Sequence, residues 1–155
     1  MINDSLQPPD SESWPPHITV ATIVQRDDRF LMVEEFKHGR LVINQPAGHL
    51  EPGETLLEAA VRETREETGW LVTLQSFIGV YHYASGESSK TYLRFVFRAG
   101  PVEQLEMAID PDIANVHWLT LDEIRQSTLR SPMVLRSMED ALGRESLPLE
   151  AIGYL

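Results

Sequence analysis

The order of the predicted elements favours an α/β domain in which a mixed β-sheet lies between helical layers. Alternating apolar residues of the kind found in strands occupy the first third of the chain, and an amphipathic, strongly acidic helix follows them. Two longer strands, a further strand and two helices complete the pattern. Because strands and helices are interleaved, they are expected to pack as helices on the faces of one sheet.

The N-terminal residues 1–16 predict an extended arm, and residues 17–155 predict a single domain. Pro8, Pro9, Pro15 and Pro16 disfavour regular structure in the arm. A chain of 155 residues with 42% hydrophobic residues is long enough to bury one sizeable core. The sequence shows no internal repeat or interdomain linker, so no second domain is expected.

The first strands form a predicted hairpin. Residues 17–24 alternate as a strand does, Asp27 and Asp28 predict a turn, and residues 29–34 predict a second apolar strand. His38 and Gly39 predict another turn, which leads into a short extended segment at residues 41–43.

A helix is predicted to begin after Thr55 and to end at Gly69. Thr55 and Glu58 match a capping box, and Gly69 stands where a left-handed residue would end the helix. At about 100° per residue, one face collects apolar or small residues. This predicted packing face consists of Leu57, Ala60, Val61 and Thr64.

Three glutamates, Glu63, Glu66 and Glu67, cluster roughly 120° from the centre of that face. Like charges three and four positions apart destabilise a helix, so local stability does not explain them. A divalent cation does, because magnesium is usually held by a few carboxylates together with phosphate oxygens of a substrate. The cluster therefore predicts a magnesium site, with manganese as the alternative metal. The competing interpretation is a solvated acidic face paired with Arg62 and Arg65.

The remaining elements follow the helix. Residues 71–83 and 91–99 predict two longer strands, and residues 113–118 predict another. Thr120 with Glu123 matches a capping box at the start of one helix. Ser131 and Pro132 start the last helix, and Gly143 ends it.

The segment at residues 48–70, GHLEPGETLLEAAVRETREETGW, resembles the signature of the Nudix hydrolases. Its fixed positions are Gly48, Glu54, Arg62, Glu63, Glu66, Glu67 and Gly69. Two departures are mild: Thr64 replaces a usually aliphatic residue, and Trp70 is a bulky occupant of the final apolar position. QPAGHLEPGE from Gln45 and LRSP from Leu129 are also similar to a narrower bacterial branch, the NudJ-type phosphatases. The resemblance implies the Nudix α/β/α sandwich with a mixed central sheet.

The resemblance also implies roles for the signature residues. Glu63, Glu66 and Glu67 are expected to bind metal together with the backbone carbonyl of Gly48. One glutamate, with Glu66 favoured, is expected to take the proton of the attacking water. Arg62 would orient an acidic partner within this catalytic group. The candidate for that partner is Glu54, for which direct metal binding is the alternative.

Nudix enzymes often recruit another acid from outside the signature, and Asp112 is the candidate for this metal ligand. Asp110 and Glu106 are close enough in sequence to compete with it. The alternative is that the DPD segment is only a solvated turn before a strand.

Arg94 and His49 are the candidate substrate-binding residues. Arg94 shares strand parity with Tyr92 and Val96, so it points either into a cleft, where it would meet phosphate, or into solvent. His49 follows Gly48, and a surface-loop role competes with substrate contact. Aromatic residues that would either stack on a base or fill the core are Tyr81, Tyr83 and Trp70.

The composition of the chain restricts the classes of molecule that the protein is expected to bind. A formal net charge of −11 argues against a nucleic acid duplex, which is bound through basic patches. No apolar run is long enough to cross a bilayer, and the N-terminus, MINDSLQPPDSESWPP, is acidic and proline-rich. The expectation is a cytoplasmic monomer or homodimer that acts on a small phosphorylated metabolite. With no cysteine in the chain, its chemistry must come from oxygen and nitrogen groups.

Together these features predict a magnesium-dependent phosphoanhydride hydrolase. The resemblance implies nucleoside di- and triphosphates as substrates, together with thiamine-related pyrophosphates such as hydroxymethylpyrimidine pyrophosphate. The first alternative is a dinucleotide or nucleotide-sugar pyrophosphatase, such as one for ADP-ribose. The second is a non-catalytic, ligand-sensing domain of the same fold.

Overall fold

The structure, a computed structural model, describes residues 15–155. Most of the predicted arm at residues 1–16 lies outside the described residues, and Pro15 and Pro16 have no regular structure. In chain order the elements are β1 (His17–Arg26), β2 (Arg29–Lys37), β3 (Arg40–Asn44), β4 (Ala47–His49), α1 (Leu56–Thr68), β5 (Trp70–Ala84), β6 (Thr91–Gln104), β7 (Ile113–Thr120), α2 (Leu121–Arg125), α3 (Pro132–Gly143) and a short 3-10 turn (Leu149–Ala151). Each predicted strand is present, and β4 was not predicted.

The strands form a mixed seven-stranded sheet, as predicted. Its order is β3-β2-β1-β6-β5, with β4 paired to β1 and β7 paired to β2. β1 and β6 are parallel, whereas the other pairs are antiparallel. β1 pairs with β6 along most of its length, with β4 over Thr19–Ala21 and with β2 only at its end. β1 thus lies in the middle of the strand order, and β4 lies beside it.

Helices cover both faces of this sheet. Successive β1 residues point to opposite faces, so Val20 packs with Ala59 of α1, whereas Ile23 packs in the cluster that holds Val134 and Met138 of α3. The sandwich of helix, sheet and helix is therefore confirmed. None of the helices in residues 15–155 has the length and apolar character that a bilayer crossing demands.

The ends of α1 are as predicted, but its buried face is rotated. The hydroxyl of Thr55 accepts a hydrogen bond from the backbone N–H of Glu58 at 3.1 Å, and Gly69 adopts a φ of 74°. The face that packs consists of Ala59, Ala60, Thr64, Glu67 and Thr68. Of the predicted face, Ala60 and Thr64 are buried, whereas Leu57 and Val61 are only partly buried. As a result Glu67 lies on the packed side of the helix.

Two buried polar contacts fix the helices against the sheet. The hydroxyls of Thr22 and Thr64 lie 2.7 Å apart, which explains why a threonine replaces the usual aliphatic residue in α1. On the other face the amide of Gln45 donates to the backbone oxygen of Val134 at 3.1 Å and to the hydroxyl of Ser137 at 2.8 Å. Both contacts hold helices next to the β3–β4 segment, beside which the candidate site is built.

Candidate active site

Strand β4 and helix α1 bring Gly48 against Glu63. Gly48 pairs with Val20 in the sheet, and a Cβ atom at Gly48 would overlap the carboxylate of Glu63. Only a glycine lets that carboxylate lie directly against the β4 backbone. Gly48 was expected on a loop facing the helix; it is instead a strand residue that faces it, because pairing with β1 extends the segment.

Arg62 organises the acids around it. Its guanidinium binds both carboxylate oxygens of Glu54, at 2.6 and 2.9 Å, and donates to the backbone oxygen of His49 at 3.0 Å. The same group contacts Glu63 at 2.8 Å and Glu66 at 3.2 Å. The bond to Glu54 is the largest of the contacts that raise the pKa of Arg62, and the same bond lowers the pKa of Glu54. The bidentate pair supports the expected partnership of Arg62 with Glu54.

The three glutamates differ in exposure. The side chain of Glu66 is 44% exposed, whereas that of Glu63 is 14% exposed. Burial raises the pKa of Glu63, and the hydrogen bond from Arg62 opposes that shift. Glu66 is therefore the member of the group that solvent reaches most readily.

Glu67 is the most buried of the three. It is 7% exposed, and its Oε2 atom has no hydrogen-bond partner among residues 15–155. Burial raises the pKa of its carboxyl to about 9, and the charges of Glu63, Glu35 and Asp110 add to this shift. A buried carboxylate surrounded by other acids needs a cation to ionise at neutral pH. The expectation that Glu67 belongs to an exposed acidic face was wrong, since its helical position lies in line with Ala60 and Thr64.

The donor atoms here fit a hard divalent cation. Magnesium takes oxygen ligands, and the site offers an unpartnered oxygen of Glu67 beside the Glu63 carboxylate that rests on Gly48. Across residues 15–155, no three acidic or histidine side chains already converge as a metal cage. Arg62 contacts one oxygen of Glu63 and one oxygen of Glu66, so each carboxylate keeps its second oxygen for a cation.

An acid that the sequence interpretation missed, Glu35, also faces this group. Glu35 lies on β2, where the pairing with β7 shifts register between Glu34 and Glu35. Its carboxylate accepts from the amide of Asn44 at 3.2 Å and pairs with Arg130 at 3.2 Å. Its charge raises the pKa of Glu67, so it acts on the same site from β2. No motif marks Glu35, because its nearness to Glu67 depends on how β2 and α1 pack in the fold and not on local sequence.

Asp112 is exposed and forms part of a turn. Its N–H donates to the carboxylate of Asp110 at 2.9 Å, and the N–H of Asp110 donates to the backbone oxygen of Glu66 at 2.7 Å. The solvated turn therefore exists, and it is tied to α1. Asp110 is the residue of this turn whose charge acts on Glu67. Glu106 is exposed. A metal role for Asp112 stays a prediction.

A cleft of about 310 Å³ opens beside this site, and Gly48, His49 and Arg94 all line it. Its charged lining consists of Lys37, Lys90, Arg94, Arg130, Glu35 and Glu87. Cations outnumber acids in this lining, in contrast to the charge of −11 on the whole chain. The cleft is thus the place where an anionic ligand is attracted.

Arg94 points into this cleft and not into solvent. It is 7% exposed, its Nη1 atom donates to Asn44 at 3.3 Å, and its Nε atom has no partner in the described part of the chain. Burial, together with the charge of Arg130, lowers the pKa of Arg94 to about 10, against the opposing charges of Glu35 and Glu67. Arg94 is therefore a protonated and under-paired buried cation at neutral pH.

His49 is an exposed residue of β4 rather than of a loop. A ring nitrogen of His49 lies 3.0 Å from a ring nitrogen of His17. Burial lowers the pKa of His49, and the charges of His17 and Lys90 act in the same direction. Its imidazole is thus neutral at pH 7.

Only one of the three aromatic candidates, Tyr83, reaches the cleft. Tyr81 instead donates to Asp140 of α3 at 2.8 Å. Trp70 packs edge-to-face on Trp118 at the opposite end of β5, with ring centroids 5.5 Å apart. Tyr92 lines the same cleft, so Tyr83 and Tyr92 are the tyrosine side chains that a bound base could meet.

Comparisons with known proteins agree with this architecture. A NUDIX domain model matches residues 15–138. The chain is 43% identical over 141 residues to proteins named Phosphatase NudJ from Escherichia coli K12 and Shigella flexneri, across 89% of this chain and 91% of each relative.

Two solved structures illustrate the range of similarity. A NUDIX hydrolase from Nitrosomonas europaea superposes with a TM-score of 0.88 at 37% identity, over 91% of this chain and 98% of that one. The NUDIX domain of Shewanella oneidensis NrtR in complex with ADP-ribose gives 0.69 at 17% identity, over 84% and 88%, which shows a shared fold alone. The extensive sequence match and the shared fold establish that the chain belongs to the Nudix family and is a Nudix hydrolase.

Proposed function

We propose that the protein is a magnesium-dependent hydrolase of phosphoanhydride bonds in small di- and triphosphate compounds. Its substrates would be nucleoside di- and triphosphates and thiamine-related pyrophosphates such as hydroxymethylpyrimidine pyrophosphate. The observation that carries the proposal is that Gly48, against which the Glu63 carboxylate of α1 rests, also lines a cationic cleft in an otherwise acidic chain. The similarity to the NudJ phosphatases supports the release of orthophosphate.

Four groups would hold the metal: the carboxylates of Glu63, Glu66 and Glu67 and the backbone carbonyl of Gly48. Asp112 and Glu35 are the candidates for a further acidic ligand. When bound, magnesium supplies charge neutralisation for the phosphates and a lowered pKa for the attacking water, and manganese would supply the same chemistry.

Three side chains of the protein would supply the remaining catalytic and binding functions. Arg62 orients Glu63 and Glu66 through its two ion pairs. Glu66 is the most exposed of the three glutamates and is suited to accept the proton of the attacking water. Arg94 offers an unpartnered Nε–H that a phosphate oxygen of the substrate would accept.

The second candidate is hydrolysis of a dinucleotide or nucleotide sugar, because a metal site that binds phosphate oxygens does not define the rest of the substrate. The ADP-ribose-bound domain shares only the fold at 17% identity, whereas the phosphatases are 43% identical, so the first candidate has the stronger support. The presence of every signature glutamate argues against a non-catalytic sensor.

The test is a substrate panel with magnesium, with products resolved by phosphorus NMR. The panel contains nucleoside di- and triphosphates with different bases, hydroxymethylpyrimidine pyrophosphate and ADP-ribose. Direct appearance of orthophosphate from the first two groups is expected, at similar efficiency for different bases. Exclusive conversion of ADP-ribose to AMP and ribose phosphate would reject the first candidate in favour of the second.

A further inference from the structure

The N-terminus of α3 faces the cationic cleft without an acidic partner of its own. Ser131 is the N-cap residue and lines the cleft, yet its side chain makes no capping hydrogen bond. The Oγ atom of Ser131 is buried and has no partner within residues 15–155. The first turn of this twelve-residue helix contains no acid. Since helix N-termini carry partial positive charge and unpaired N–H groups, this end of α3 is chemically suited to an anion.

Arg130 and Lys37 lie beside the N-terminus of α3, and hydrogen bonds to the backbone hold them there. The N–H of Arg130 donates to Ile43 at 2.9 Å, and the Nζ atom of Lys37 donates to the backbone oxygen of Arg130 at 3.0 Å. The Nε atom of Arg130 pairs with Glu35 at 3.2 Å, and its side chain is 36% exposed. An ammonium has three donors and a guanidinium has five, so both groups keep donors for a ligand.

The incomplete hydrogen bonding of Arg94 is a separate observation that favours an anion in this part of the cleft. Arg94 lines the same cleft, is 7% exposed and has an unpartnered Nε atom. The positive charge of Arg130 also disfavours the charged form of Arg94, and the charges of Glu35 and Glu67 only partly offset its burial. A buried cation with incomplete hydrogen bonding and a like charge nearby is costly, and a phosphate oxyanion placed between the two guanidinium groups would remove that cost.

We propose that Arg130, Lys37, Ser131 and the N-terminus of α3 form a second anion subsite in the cleft. It binds a phosphate group of the substrate other than the phosphate that water attacks. The inference rests on the proposed function, and it makes the phosphate chain, more than the base, the part of the substrate that sets affinity. Free orthophosphate offers the same chemistry, and the experiment separates the two sources.

The experiment measures the binding of a nucleoside diphosphate analogue in which a methylene group replaces the bridging oxygen. That analogue cannot be hydrolysed there, so its dissociation constant is measured by calorimetry on the full chain with magnesium. Ser131→Asp and Arg130→Gln are compared with Arg136→Gln, which removes the same charge from a residue of α3 that pairs with Asp140.

The variants are expected to weaken analogue binding, whereas Ser131→Asp is not expected to lower the melting temperature. Ser131→Asp and Arg130→Gln should each weaken analogue binding at least about tenfold, because charge-assisted hydrogen bonds to phosphate are lost or repelled. Arg136→Gln should change the dissociation constant less than about twofold. Ser131→Asp should melt no lower than the parent, because aspartate is as good an N-cap as serine and complements the helix dipole. Orthophosphate should bind the parent far more weakly than the analogue, since nothing tethers it to the metal site.

Three outcomes would overturn the inference. If Ser131→Asp and Arg130→Gln both bind the analogue as the parent does, while the parent hydrolyses nucleotides, the subsite is wrong and the proposed function stands. If orthophosphate binds the parent as tightly as the analogue, the site holds free phosphate rather than substrate. If the parent neither binds the analogue nor hydrolyses any phosphoanhydride, the proposed function and the subsite fail together.

Discussion

Replacing Glu67 with glutamine should stabilise the metal-free protein while it removes activity. The pKa of this buried carboxyl is raised from 4.5 to about 9, so between these values the folded state keeps a proton that the unfolded state has lost. The free energy of unfolding therefore falls as pH rises through this window. A neutral glutamine carries no such penalty, and the advantage of the variant should grow with pH.

The size of the effect follows from the same shift. Each pH unit above 4.5 costs the parent about 1.4 kcal/mol, so the upper limit at pH 7 is about 3 kcal/mol. Water entry and relaxation around the carboxylate reduce this limit, and we expect about 1–2 kcal/mol. For a chain of this size that corresponds to a melting temperature about 3–6 °C above the parent.

The measurement is a series of thermal melts in chelator between pH 5 and pH 8. Glu66→Gln is the matched control, because it removes the same charge one position away on a side chain that is 44% exposed. The gap between Glu67→Gln and the parent should be small at pH 5 and widest at pH 8. A gap of equal size at both ends of the series would refute a raised pKa at Glu67. With magnesium added, the melting temperature of the parent should rise and that of Glu67→Gln should rise much less, because we propose the ionised carboxylate as a metal ligand.

The remaining predictions concern activity. Glu66→Gln and Glu67→Gln should each lower kcat at least ~100-fold, and parental kcat in both at saturating magnesium would remove α1 from the chemistry. Gly48→Ala should raise the half-saturating magnesium concentration at least about tenfold, since its methyl group would displace the Glu63 carboxylate. An unchanged magnesium titration would argue that the contact between Gly48 and Glu63 does not shape the metal site. Glu35→Gln and Asp112→Asn, compared in the same titration, should identify the extra acid, because only the variant that loses a ligand needs more magnesium. If neither variant shifts the titration, both acids lie outside the metal site.

Local signals in the sequence were sufficient to predict the ends of the helices. The capping boxes that begin at Thr55 and Thr120 are both present, and Gly69 ends α1 in the left-handed conformation. These features depend on neighbours within four residues, so the sequence contains all the information they need. The same holds for Pro132 in the first turn of α3.

The features that escaped prediction depend on distant pairing. β4 has only three residues, and it is a strand because it pairs with β1, not because of its own propensity. Glu35 on β2 acts on Glu67 of α1 only through the tertiary fold, since no local sequence signal joins the two elements. Arg94 is buried because β6 lies between β1 and β5, so its alternation could not tell a cleft from solvent. The deeper placement of Glu67 likewise follows from the rotation of α1 against the sheet.

The distribution of charge reconciles an acidic chain with an anionic substrate. Glu63, Glu66 and Glu67 lie on α1, whereas the cleft cations come from β2, the β5–β6 connection, β6 and the segment before α3. Arg62 pairs with both oxygens of Glu54 but with only one oxygen each of Glu63 and Glu66. In the proposed function, a substrate phosphate chain would meet cations on one side and, through a divalent metal, carboxylates on the other. Salt screens exposed charges that lie more than about 10 Å apart, so the charges near the cleft would affect substrate binding more than the net charge of the chain does. The cleft and α1 would then act as one site although their charges are opposite.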